Sequence, residues 1–149
     1  MSELRELYQE VILDHNRSPR NFGTLEGANR MAEGHNPLCG DRIRIYLQVE
    51  QGRIQDIAFQ GSGCAISTAS ASMMTEAVRG KSVAEAEAAF ERFRALLTGP
   101  GTTPSDDEMG EMAALAGVRA FPMRVKCATL AWHTLRSALE NKRQVATTE

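Results

Sequence analysis

Three cysteines and one aspartate carry the chemistry most open to reading in this chain: Cys39 and Asp41 in the run Asn36-Pro37-Leu38-Cys39-Gly40-Asp41, then Cys64 and Cys127. Cys39 and Asp41 stand two residues apart, so they share one side of an extended segment or converge across a turn that Gly40 permits. An odd number of cysteines leaves a thiol over from any set of disulfides. Three thiolates and a carboxylate instead make a complete tetrahedral ligand set, so the arithmetic favours a metal. Zinc accepts such donors. Soft thiolates equally suit iron–sulfur chemistry, with the hard carboxylate as the exchangeable ligand.

Two strands and two helices must bring these residues together. Residues 41–50 alternate, with Ile43, Ile45, Leu47 and Val49 against Arg42, Arg44, Tyr46 and Gln48, the period of a half-buried strand. Gln51-Gly52 turns the chain, and residues 53–60 repeat the pattern less strictly through Ile54, Ile57 and Phe59, which predicts an antiparallel hairpin. Such a hairpin sets Asp41, at the start of its first strand, beside Gly61-Ser62-Gly63-Cys64, just past the end of its second. Residues 65–78, dense in small side chains, form a helix ending near Gly80, with Cys64 at its N-terminus where free N–H groups and the helix dipole favour a thiolate. Phe121-Pro122 opens a last helix running to about residue 142, in which Cys127 points inward with Met123, Leu130, Ala131 and Thr134; Arg124 and Lys126 beside it would stabilise a thiolate.

The other elements are a helix at about residues 3–16 with the apolar stripe Leu4, Leu7, Tyr8, Val11, Ile12 and His15, and a short strand at 29–33. A helix over 82–97 is capped by Ser82 and buries Val83, Ala86, Phe90, Phe93 and Leu97. Residues 98–107, rich in glycine and proline, read as an exposed excursion, followed by a short helix from 105 to about 115. His15 reads as a capping or packing group, Trp132 as a packing residue, His133 as a surface residue and the seven methionines as core filling. The glycines before Cys64 lack the following Lys-Ser or Lys-Thr of a phosphate loop, which argues against a nucleotide.

At 149 residues, 42% apolar and 24% charged, the chain fits one domain spanning residues 1–149. Its 17 basic and 19 acidic residues give a net charge of -2, with no polybasic block, which disfavours nucleic acid as a partner. No apolar run is long enough to cross a bilayer and the first residues lack a signal-peptide stretch, so no membrane partner and a cytoplasmic location are expected.

Taken together, Tyr8 to Gly23 with Asp14-His15 and Pro19-Arg20-Asn21-Phe22-Gly23, the Asn36–Asp41 run, Gly61-Ser62-Gly63-Cys64-Ala65-Ile66-Ser67 and Val125-Lys126-Cys127-Ala128-Thr129-Leu130-Ala131-Trp132 resemble the IscU/SufU/NifU N-terminal family of iron–sulfur cluster assembly proteins. The resemblance spans nearly the whole chain. It implies an α/β (α+β) fold of the SufE/NifU-like kind, a small antiparallel sheet with helices packed on it. It also implies that the family's ligand positions fall on Cys39, Asp41, Cys64 and Cys127. Lys126, where IscU-type proteins carry histidine, and an insertion at about residues 99–120 resemble the SufU branch.

That branch implies a Zn2+-binding sulfur acceptor, without stand-alone catalysis, that takes persulfide sulfur from a pyridoxal-phosphate cysteine desulfurase of the SufS/IscS type. Cys39, on a glycine-flanked loop, would accept the sulfur, and Asp41 would be the exchangeable ligand. The alternative is a scaffold on which iron and sulfide form a transient [2Fe-2S] cluster, held by Cys39, Cys64 and Cys127, for transfer to apo iron–sulfur proteins.

Overall fold

The computed structural model describes residues 2–37, 40–98, 112, 114–115, 118, 121–140 and 146–147. Its elements are α1 (Ser2–Arg17), β1 (Arg30–Asn36), β2 (Asp41–Glu50), β3 (Arg53–Ser62), α2 (Ala65–Val78), α3 (Val83–Thr98), α4 (Pro122–Leu139) and β4 (Ala146–Thr147). The sheet order is β3-β2-β1-β4, antiparallel except for β4, which runs parallel to β1. This is the α+β class read from the sequence.

The alternation in β2 is real: Ile43, Ile45, Leu47 and Val49 are all buried, while Arg42 and Arg44 are exposed on the opposite face. Gln51 (φ 54) and Gly52 (φ 73) both take left-handed conformations, the backbone of a two-residue turn whose twist matches the strands it joins. In β3 the register shifts opposite Gln48 and Val49, pairing Leu47 with Ile57 but Val49 with Ile54. One extra residue resets the parity, so Ile54 and Ile57, an odd number apart, both face the core. That bulge is why the apolar pattern of β3 is less strict than that of β2.

Helices cover the inner face of the sheet. α4 packs on β1 and β2, α2 on β3 and beside α4, α1 against α2, and α3 against α4. Trp132 stacks between Phe90 and Phe93, with ring centroids 5.8 and 5.3 Å away. Ser82 and Glu85 form a reciprocal capping box at the start of α3: Glu85 N–H donates to Ser82 Oγ at 3.1 Å and Ser82 N–H to Glu85 Oε1 at 3.0 Å. His15 is fully buried and hydrogen-bonds Ser72 Oγ at 2.7 Å, and that oxygen also accepts the Arg20 N–H. The junction pins α1 and the turn after it to the middle of α2.

Several expectations are corrected. β1 continues to Asn36 rather than ending at residue 33, because the ladder to β2 extends through His35 and Asn36 despite their weak strand preference. β4 was not foreseen. Met112, Ala114, Leu115 and Val118 are buried with 3₁₀ geometry, so the end of the 99–120 segment belongs to the core; the rest of that segment, and most of the helix read over 105–115, lie outside the described residues. His133 is half-buried, its ring edge-on to Phe90 at 5.1 Å, and burial followed by the charges of Arg136 and Arg94 lowers its pKa below the ordinary histidine value. Met31 and Met123 are about half exposed rather than core residues. No helix among the described residues is long and apolar enough to cross a membrane.

Candidate metal centre

Three elements deliver one side chain each to a single point. Asp41 is the first residue of β2, Cys64 is the N-cap of α2, and Cys127 lies in the second turn of α4. Ligand atoms of the three all lie within 4.8 Å of one another. The hairpin accounts for the first pair: Arg42 is opposite Ser62, so Asp41 is level with the chain as it leaves β3.

The carboxylate is divided between two tasks. Asp41 Oδ1 accepts the backbone N–H of Cys64 at 2.9 Å, satisfying a donor at the helix start that has no partner within the helix. Oδ2 is left facing Cys64 Sγ at 3.9 Å. Gly63 makes this approach possible, since a Cβ there would fall 2.4 Å from Asp41 Oδ1. Cys64 Sγ in turn accepts the Ser67 N–H at 3.4 Å, so the thiol sits in the positive field of the α2 N-terminus.

Asp41 and Cys127 are fully buried and Cys64 is half-buried, so the cluster has one side toward solvent. On α4, Arg124 is exposed and Lys126 half-buried. A buried carboxylate beside two thiols is costly unless a cation or donors balance it. The donor set of two sulfurs and one oxygen fits a zinc ion, whose bonds of about 2.0–2.3 Å can draw together atoms spaced this closely.

Cys39 lies outside the described residues. On either side of it in the chain, Gly40 N–H donates to Asn36 O at 2.8 Å and Gly40 lies in the left-handed region at φ 73. His15 and His133 are held by Ser72 and Phe90 and do not join the cluster.

Asn36 is the residue that sequence reasoning missed. It is fully buried, and its Nδ2 lies 3.5 Å from Asp41 Oδ2 and 3.7 Å from Cys127 Sγ. Extending β1 by three residues would have found it, because Asn36 then falls opposite Asp41.

The chain is similar to several known proteins. The chain is 45% identical over 140 residues to the iron–sulfur cluster assembly scaffold protein IscU of Streptococcus pyogenes serotype M1, covering 94% of this chain and 87% of that one. It is 41% identical over 138 residues to the zinc-dependent sulfurtransferase SufU of Bacillus subtilis strain 168, covering 93% and 92%. A crystal structure from Fervidobacterium islandicum AW-1, of a protein with a proposed scaffold role in SUF-system cluster assembly, superposes with a TM-score of 0.81 at 35% identity, covering 87% and 94%. The profile of the NifU-like N terminal domain matches residues 7–141, and the chain belongs to that family.

Proposed function

We propose that this chain works in iron–sulfur cluster assembly as a zinc-binding sulfur acceptor, loaded by a pyridoxal-phosphate cysteine desulfurase. The observation that carries the reading is the convergence of Asp41, Cys64 and Cys127 within 4.8 Å, with Cys39 two residues from Asp41 in the chain. Cys39 supplies the fourth donor. When bound, zinc keeps the thiols deprotonated at neutral pH.

Each residue then has a distinct part. Cys64 and Cys127 belong to helices and hold their places, whereas Cys39 stands between Pro37 and Gly40 in the sequence, a glycine-flanked pattern that implies no such anchor, and is the thiolate we assign to the reaction. That thiolate attacks the outer sulfur of the desulfurase persulfide; a new S–S bond forms on Cys39, the donor's S–S bond breaks, and the donor cysteine leaves as a thiolate. No net oxidation occurs. Asp41 keeps Oδ1 on the Cys64 N–H and offers Oδ2 as the hard, exchangeable ligand. Apo iron–sulfur proteins or other assembly factors receive the sulfur downstream, in the cytoplasm, where thiols stay reduced.

A second reading, a scaffold that builds a [2Fe-2S] cluster on the same residues, is favoured by the name of the 45% identical relative. One experiment separates the two. The purified protein is analysed for metal, then mixed anaerobically with a cysteine desulfurase, cysteine and iron. About one zinc per chain, retained while cysteine turnover accelerates, is the expected result. Zinc replaced by iron and acid-labile sulfide makes the protein a scaffold. In the same assay Cys39→Ser is expected to abolish persulfide on this chain, and persulfide surviving there removes Cys39 from the acceptor role.

A further inference from the structure

We infer that Asn36 is a positioning residue of the metal centre, whose side-chain amide holds the Cys127 thiolate and the Asp41 carboxylate in their places as ligands. The inference rests on the metal reading above and adds a residue to it.

Three observations carry it. Asn36 is fully buried, although asparagine seldom is unless its polar atoms are engaged. It stands directly opposite Asp41 in the β1–β2 ladder, and its own carbonyl accepts the Gly40 N–H. Its Nδ2 lies between Asp41 Oδ2 at 3.5 Å and Cys127 Sγ at 3.7 Å, two atoms that come from a strand and a helix far apart in sequence.

The chemistry of those neighbours sets the orientation of the amide. An ionised carboxylate and a thiolate are acceptors only, so the amide must turn its NH2 toward them; the reverse rotamer would place the Oδ1 lone pairs against two negative charges. Each of the two N–H bonds then has one acceptor. A donor to a metal-bound thiolate lowers the energy of the sulfur lone pairs, and a donor to a ligating carboxylate restricts its rotation. Loss of partners of this kind around metal ligands typically weakens metal binding by about 10- to 100-fold.

The test uses cobalt(II) as a spectroscopic stand-in for zinc in the full chain. Asn36→Leu keeps a similar branched shape and removes the donor; Asn36→Ala serves if leucine overfills the site. Cobalt and zinc affinities, measured by competition with a chelator, are expected to fall about 10- to 100-fold. The near-ultraviolet thiolate-to-cobalt charge-transfer band is expected to move to longer wavelength, because sulfur without its hydrogen bond gives up charge more readily. A purely structural role would lower the melting temperature of the metal-free variant and leave band position and affinity at parental values, and that result overturns the inference. A parent chain that binds cobalt without any thiolate band overturns the metal reading itself, and with it the role of Asn36.

Discussion

Gly63 shows how closely single residues are fitted at the centre. Any Cβ at this position would lie 2.4 Å from Asp41 Oδ1, 2.9 Å from its Cγ and 3.1 Å from its Cβ, so the requirement is for space. Gly63→Ala must push the carboxylate away from both the Cys64 N–H and the point where the ligand atoms meet. Zinc affinity is expected to fall by at least about tenfold, read by chelator competition, while the helical far-ultraviolet signal is unchanged. Undiminished affinity would mean that the carboxylate is not held there for a metal. Asp41 has a structural duty as well, since its Oδ1 satisfies a helix-start donor, and its removal is expected to reduce stability even without metal.

Among the elements, the contact of α4 with β1 decides whether Cys127 reaches the cluster. It depends on Gly34, where an added Cβ would fall 2.0 Å from Thr134 Oγ1, 3.1 Å from Ile43 Cγ2 and 3.2 Å from Leu130 Cδ1. Gly34→Ala forces α4 off the sheet and is expected to cost about 1–3 kcal/mol in urea unfolding of the metal-free protein. Thr134→Ala in the same chain removes the nearest obstacle. Among the described residues the Thr134 hydroxyl otherwise bonds back to Leu130 O within the helix, so part of the lost stability should return. If the double variant is no more stable than Gly34→Ala, the helix–strand spacing is set elsewhere.

At the scale of the molecule, the core and the candidate metal centre are distinct. The buried inner face of the sheet and the Trp132, Phe90 and Phe93 stack form a continuous core with α2, α3 and α4, and the ligand cluster lies at one end of the β2–β3 hairpin. Metal should therefore stabilise a protein that folds without it. Binding at a hundredfold excess over the dissociation constant contributes about 2.7 kcal/mol, so a strong chelator is expected to lower the melting temperature by roughly 5–10 °C. Far-ultraviolet circular dichroism at 25 °C should not change. Collapse of that signal on chelation would make the metal an obligatory staple of the fold.

The sequence by itself determined whatever depends on local period and backbone chemistry. The alternation of β2, the Gln51-Gly52 turn, the limits of α2 and the Ser82 cap were all legible, because a strand's two-residue period and a cap's hydrogen bond need only neighbouring residues. The same hairpin logic carried Asp41 to Cys64. From local period alone Cys127 was legible only as facing inward, which any core cysteine would do; its place among the ligands came from the cysteine count and the family resemblance. That its sulfur meets those two, and that Asn36 reaches between strand and helix, was decided by how α4 seats on β1 across Gly34. Such seating is a sum of many weak packing contacts over the whole core, and no short stretch of chain encodes it.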